Sequence, residues 1–344
     1  MIQATSPGYL HCIPIPTPFP VGPVNAYLVE GNRGPAGLAL TLVDTGPRYD
    51  PARRALTDAL ADRGYRVADL RRILITHAHA DHCGLAAELA RNSGADVWTH
   101  TANVSHLSED GSMIHRMWRD VRQVIFYARL MRWSGAPLPM MIKLGRTRQG
   151  MGQYAEPLTP DQTLDDGDVI EIGGDDWQVL HTPGHTGGLI CLYQPERQLL
   201  ISSDHLLRDI SSNPIVDPPA PSETEPVPRL VQYLAQLRRV ADLDVALALP
   251  GHGPPITDHR ALIRRRLAFH EARAERILET LDEGALTAHR IATRFFPHLD
   301  PINAFLAISE VIGHLQWLET EGEVIQTRRG GVAWWQRGAP PVAR

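Results

Sequence analysis

The sequence is poor in the residues that would staple a chain or anchor it. Its 344 residues include three cysteines, Cys12, Cys83 and Cys191, an odd number at wide spacing. That excludes a disulfide framework and points to a reducing compartment. No apolar run approaches the roughly 20 residues that a membrane-spanning helix needs. Residues 1–9 show no basic start followed by an apolar stretch, so no secretory leader is expected. The expectation is a cytoplasmic protein with no membrane partner. Lysine is almost missing, since of 34 cationic residues only Lys143 is not arginine. Neither charge dominates: the formal net charge is −5, which argues against a surface that binds nucleic acid everywhere. With 43% hydrophobic and 21% charged residues, neither disorder nor a coiled coil describes the chain. At about 100–200 residues per domain, the length calls for two domains, or one large domain with an appendage.

What is present is a succession of short apolar runs and helical patterns. Strands are expected at 25–30, 38–43, 72–76 and 96–99, with helices at 51–63 and 82–92. From residue 169 onward strands dominate, at 169–172, 177–181, 189–193, 199–202 and 245–249, with a helix at 228–240 before the last. Mixed on this spacing, they predict an α/β sheet protein with helical outer layers. A proline-rich loop is expected at 213–228. After Pro255 the pattern becomes three helices and a strand pair around Arg328-Arg329-Gly330-Gly331, which reads as a winged helix.

Histidine carries the chemistry. Directly after an apolar strand comes Thr76-His77-Ala78-His79-Ala80-Asp81-His82. The alternation of His77 and His79 suits two ligands that project the same way from an extended turn. Asp81 and His82 begin a helix, where the chain turns and can serve a second centre. Three further clusters follow strands: His181-Thr182-Pro183-Gly184-His185, Ser202-Ser203-Asp204-His205 and Leu249-Pro250-Gly251-His252. Each sets a His or Asp beside small residues that allow close approach. Any one of them alone is more often structural. Four together point to a metal site.

The set Asp44, His77-x-His79-x-Asp81-His82, His185, Asp204 and His252 resembles the five motifs of the metallo-β-lactamase superfamily, in order and spacing over 1–256. The presence of both Asp81 and His82, with Asp204 and not cysteine at the bridging position, resembles its glyoxalase II-like branch. The resemblance implies an αβ/βα sandwich with metals at one edge of two facing sheets. It implies that His77, His79 and His185 bind one metal and that Asp81, His82 and His252 bind a second. Asp204 bridges them, Asp44 orients a ligand, and Asp81 is also taken as catalytic. The implied cofactors are two divalent ions. His/Asp ligation without thiolate suits zinc, with iron or manganese fitting the same donors. Cys83, His181 and His205 are expected in packing or support, and His11, His100 and His270 in structural positions.

Residues 257–338 resemble the winged-helix tail of the lactamase-β-2-like subgroup. The third helix, 303–321, carries Glu310, Glu319 and Glu321 and no cation. Duplex DNA is therefore not expected as a partner, and packing or contact with a second copy of the chain is. Gly111–Gly150 is read as an insertion in the catalytic domain. It holds Arg116, Arg119, Arg122, Arg129, Arg132 and three more cations against Asp120 alone. An apolar stripe from Ile114 to Met131 includes Val124 and Ile125. The insertion is expected either to pack on the sandwich or to cover the metal cleft as a lid, its arginines meeting an anionic acyl substrate.

The reading that follows is a binuclear metal hydrolase of a thioester, with an acyl-CoA-like small molecule favoured. A metal-dependent endoribonuclease, a lactone hydrolase and an iron oxygenase of persulfides are the rivals. A non-enzymatic sensor would require a degraded site, and all seven ligand positions are filled.

Overall fold

The computed structural model describes residues 8–34, 37–108, 113–137, 140, 151–212, 214, 216, 227–297 and 301–338. The chain divides into two compact units. The first holds Met1–Asp110, Met151–Ser212 and Gln236–Ile263; the second holds Gly111–Gly150, Asn213–Ala235 and Arg264–Arg344.

The first unit is built on two sheets. One has the order β1 (Leu10–Ile15), β2 (Val24–Gly34), β3 (Gly37–Val43), β4 (Leu70–Ile75), β5 (Asp96–His100) and β6 (Gln162–Leu164). Its first three strands are antiparallel, and β3 to β6 run parallel. The other sheet has the order β11 (Leu247–Pro250), β10 (Leu199–Ser203), β9 (Ile190–Gln194), β8 (Asp175–His181) and β7 (Val169–Ile172). Here only β10 and β11 are parallel.

Residue patterns explain the layers. The edge strand β7 alternates exposed and buried positions, so one face is wet. All five residues of β9 and of β10 are buried, so both faces are covered. One core cluster joins the two sheets: Tyr27, Val43 and Leu74 pack with Trp177, Val179, Leu192 and Leu249. Trp177 is fully buried, and its indole donates to the Ile172 carbonyl at 3.1 Å. A second cluster covers the other side of the first sheet with helices α1 (Asp50–Ala61) and α3 (Ala86–Ser93), which follows the short α2 (Ala80–Cys83). Pro51 starts α1, and Ala52, Leu56 and Leu60 recur every four residues on its buried face. Burial of each leucine stabilises by about 1.5–3 kcal/mol. This is the expected αβ/βα sandwich.

The second unit has its own core. Tyr127, Leu130 and Met131 pack with Ile277, Leu281, Ile291, Phe305, Ile308, Val311, Leu315, Val324 and Trp335. These come from the helices Met113–Ser134, His259–Leu281, Ala288–Phe295 and Pro301–Thr320 and from the hairpin Val324–Arg329 with Val332–Arg337. The three helices and hairpin follow the expected order.

Gly111–Gly150 groups with the second compact unit, which takes up the chain again at Arg264. The buried face of the helix Met113–Ser134, Tyr127, Leu130 and Met131, is used by the helical core, and of these only Met131 belongs to the expected stripe. Val124 and Ile125, assigned to the stripe, are exposed at 62% and 43%. The expected loop at 213–228 lies mostly outside the described residues. No helix among the described residues is long and apolar enough to cross a membrane.

Candidate metal centre

All seven ligand positions and Asp44 lie in the first unit, directly after strands. Asp44 follows β3, the 76–82 segment follows β4, His185 follows β8, Asp204 follows β10 and His252 follows β11. Parallel pairing of β3 with β4 and of β10 with β11 brings the ends of neighbouring strands to one edge. After β4 the chain stays extended to His79, which has φ −72° and ψ 145°. A single helical turn then carries Asp81 and His82. Thr45 holds that turn, its hydroxyl and N–H both donating to the His82 carbonyl.

Two ligand groups result. In the first, Nε2 of His77 and Nε2 of His185 stand 3.1 and 3.0 Å from the same Nδ1 of His79. In the second, Nε2 of His252 is 3.3 Å from Oδ2 of Asp81, and Nε2 of His82 lies 4.0 Å from that oxygen. Asp204 reaches both. Its Oδ2 is 3.4 Å from Nε2 of His185 and 3.7 Å from Nε2 of His252, and its Oδ1 is 3.5 Å from Nε2 of His82. The sets His77–His79–His185 and Asp81–His82–His252 each place one donor atom per residue within 4.8 Å of the others, as does His77–His82–Asp204.

Neighbours aim these donors. Nδ1 of His252 donates to the Pro23 carbonyl at 2.8 Å, which turns Nε2 toward the centre. Nδ1 of His82 meets Oδ2 of Asp44 at 2.7 Å. Asn25 clamps the 250–253 segment, donating from Nδ2 to the carbonyls of Pro250 and Gly253. The Tyr27 hydroxyl also donates to Pro250. Asn103 donates to the Gly188 carbonyl, and His181 donates from Nε2 to Gly187, so both hold the loop that carries His185. Gly251 permits the approach: a Cβ there would lie 2.2 Å from Oδ1 of Asp204 and 2.8 Å from Cε1 of His82.

The protonation states of His77, His185, Asp81 and Asp204 suit ligation. Burial pushes His77 well below the ordinary histidine value, and pushes His185 down to about 3, with neighbouring imidazoles adding to both. Both are neutral, with lone pairs to give. Burial would raise Asp81 and Asp204, but the adjacent histidines outweigh it. Asp81 falls to about 2, and Asp204 lies well below the usual carboxylate range. For His82, burial is outweighed by Asp204 and Asp44, and its value is raised. Without an ion, His82 and His252 supply the positive charge that two buried carboxylates require, and a cation held there would replace their protons.

A direct fit test is the set of buried donors without hydrogen bonds. Nε2 of His82 and Oδ1 of Asp204 are buried 3.5 Å apart, and neither makes a hydrogen bond. Buried polar atoms are normally satisfied, so two orphans this close fit a cation. The His/Asp donors thus fit two divalent metal ions.

Of the supporting residues, Cys83 belongs to the core of the first sheet. His100 stacks on His181 with centroids 3.9 Å apart, and His11 pairs with Glu30. Among the arginines singled out, Arg129 and Arg132 are exposed, and Arg132 donates to the Gly330 carbonyl at 3.4 Å. The side chains of Arg116, Arg119 and Arg122 lie outside the described residues. Sequence reasoning missed Asn25, Tyr27, Thr76, Asn103 and Ser203. Asn25, a polar residue within an apolar strand run, was a usable signal. Thr76 and Ser203 stand beside ligands in the histidine and aspartate runs, whereas Tyr27 and Asn103 carried no signal.

Comparison with known proteins agrees with this geometry. The family described as "Metallo-beta-lactamase superfamily" matches residues 19–252. The probable metallo-hydrolase YqjP of Bacillus subtilis is 33% identical over 326 residues, covering 94% of this chain and 96% of that protein. The human protein named acyl-coenzyme A thioesterase MBLAC2 is 28% identical over 237 residues, covering 66% of this chain and 72% of its own. The crystal structure of a metallo-beta-lactamase family protein from Thermus thermophilus superposes with a TM-score of 0.79 at 30% identity. The match covers 97% of this chain and all of that one.

Proposed function

Because the chain belongs to the metallo-beta-lactamase superfamily, we propose that it is a binuclear metal-dependent hydrolase of thioesters, with an acyl-CoA-like substrate. The observation that carries the binuclear reading is Asp204, whose two carboxylate oxygens face ligands of both histidine groups. In this reading His77, His79 and His185 hold one ion, Asp81, His82 and His252 hold the other, and Asp204 joins them. The donors fit zinc, and fit iron or manganese as well.

Divalent ions held by these residues would supply Lewis acidity, toward water and toward a substrate carbonyl. The chain's own part is to fix that geometry. The bonds from Asp44 and the Pro23 carbonyl hold His82 and His252 in single orientations. Asp81, with its value near 2, acts as an ionised carboxylate and not as a proton donor. A thiolate, with an ordinary value of about 8.5, leaves without a general acid, which favours a thioester over an amide. The thioesterase named among the relatives supports the same class. Arg116, Arg119, Arg122, Arg129 and Arg132 are the proposed contacts for substrate phosphates.

The test is a screen of the purified chain against acyl-CoA thioesters, lactones and single-stranded RNA, with metal content measured on the same sample. Two ions per chain and release of free CoA thiol are expected. Asp204→Ala and His79→Ala should abolish hydrolysis while the fold survives. Arg129→Ala with Arg132→Ala should raise KM for acyl-CoA about 10-fold or more, and leave a short uncharged thioester unaffected. Preferential RNA cleavage, or full activity in Asp204→Ala, overturns the reading.

A further inference from the structure

The Thr76 side chain is fully buried, and its hydroxyl is saturated. Oγ1 lies 3.1 and 2.8 Å from the two carboxylate oxygens of Asp44, 2.8 Å from Oγ of Ser203 and 3.2 Å from Nδ1 of His77. A hydroxyl has one proton to give and two lone pairs to fill. A carboxylate accepts, so the Thr76 proton goes to Asp44. Ser203 and His77 must then both donate to Thr76.

Two consequences follow for the imidazoles. With its proton on Nδ1, His77 presents a lone pair at Nε2, the atom that faces His79. Asp44, oriented by the Thr76 hydroxyl and by the Thr76 N–H at 2.9 Å, accepts from Nδ1 of His82. His82 therefore presents Nε2 to Asp81 and Asp204. One hydroxyl thus sets the tautomer of a histidine in each ligand group.

Ser203 completes the set at a conformational cost. Its φ of 45° lies in the left-handed region, which glycine adopts freely and serine does not. The strained backbone delivers the serine hydroxyl to Thr76, and the next residue is Asp204.

We propose that Thr76 is a positioning residue shared by both metal positions, with Ser203 as the donor that fixes its hydroxyl. This rests on the binuclear reading of the site. The experiment titrates metal-free full-length protein with zinc against a chromophoric chelator, and records the visible spectrum of the cobalt(II) form and the thermal midpoint of the metal-free form. Thr76→Val should weaken both ions by about 10- to 100-fold, as loss of a group that orients ligands does. Thr76→Ser should restore both. Ser203→Gly should raise or hold the metal-free thermal midpoint, since strain is relieved, while metal affinity falls and the cobalt(II) spectrum shifts. A merely structural role cannot move stability and affinity in opposite directions. If Thr76→Val does not fold, Ser203→Gly carries the test alone. Wild-type protein that takes up no zinc overturns this proposal and the binuclear reading together. Wild type with two ions and Thr76→Val with unchanged affinities overturns only the shared role, as does weakening confined to one ion.

Discussion

Oδ2 of Asp44 stands 2.7 Å from Nδ1 of His82, and both residues are buried. The same carboxylate takes two bonds from Thr76. Asp44 itself sits at φ 60°, a conformation that aspartate tolerates better than most residues. Its carboxylate is placed to orient the His82 ring.

Replacing it should separate these duties. In Asp44→Ala, the N–H and hydroxyl of Thr76 lose a buried acceptor, at a cost of about 1–3 kcal/mol. His82 loses its tautomer restraint, so metal affinity should fall about 10- to 100-fold. Chemical denaturation and chelator competition measure the two effects. Unchanged metal affinity would remove Asp44 from the support of the site.

Gly251 offers a steric test. Its Cβ would fall 2.2 Å from Oδ1 of Asp204, inside any allowed contact. Gly251→Ala should displace that carboxylate by about an ångström and lower kcat about 100-fold, since misplacement on this scale has effects of that order. Metal analysis of the variant should show less than the wild-type content. Wild-type activity with full metal would show that the 250–253 segment yields easily.

The second unit should be acid-labile through a buried histidine pair. Nδ1 of His270 lies 3.2 Å from Nε2 of His314, and both are almost fully buried. Burial, with His314 beside it, pushes His270 down to about 3, and burial pushes His314 down to about 4. Both are depressed on folding, so the unfolded chain binds protons first. Their stabilising effect is complete above about pH 6.5 and is lost as pH falls toward 4 and then 3. The loss is up to about 1.4 kcal/mol per pH unit for each histidine. Urea unfolding between pH 7 and pH 4 should show this slope, and His270→Leu should flatten it. An unaltered slope in that variant would assign the acid response elsewhere.

Duplex DNA should not bind the chain at physiological ionic strength. In the helix Pro301–Thr320, Phe305, Ile308, Val311, Ile312, Leu315 and Leu318 are all buried in the second unit's core. Its Glu310 is held by Arg273 at 3.1 Å. Among its described residues the helix leaves no apolar face free, and its sequence holds no Lys or Arg for phosphate. A salt-dependent mobility shift of a DNA fragment would contradict this.

The candidate ligand set was legible in the sequence because its chemistry is local. His77, His79, Asp81 and His82 fall within six residues, and each remaining ligand follows its own apolar run beside a glycine or serine. Strand periodicity likewise exposed the two-sheet core, since buried strands must be apolar wherever they pack. Three things needed the tertiary structure. The hydroxyl network joins Thr76 to Ser203 across 127 residues, and a threonine or serine alone carries no sign of its partner. The clamp from Asn25 to Pro250 and Gly253 spans a still longer separation. The helix Met113–Ser134 has an apolar stripe that the sequence could assign to either core, because a helical period specifies a buried face but not what buries it. Tyr127, Leu130 and Met131 resolve that choice in favour of the second unit, where complementary side chains from three other helices close around them.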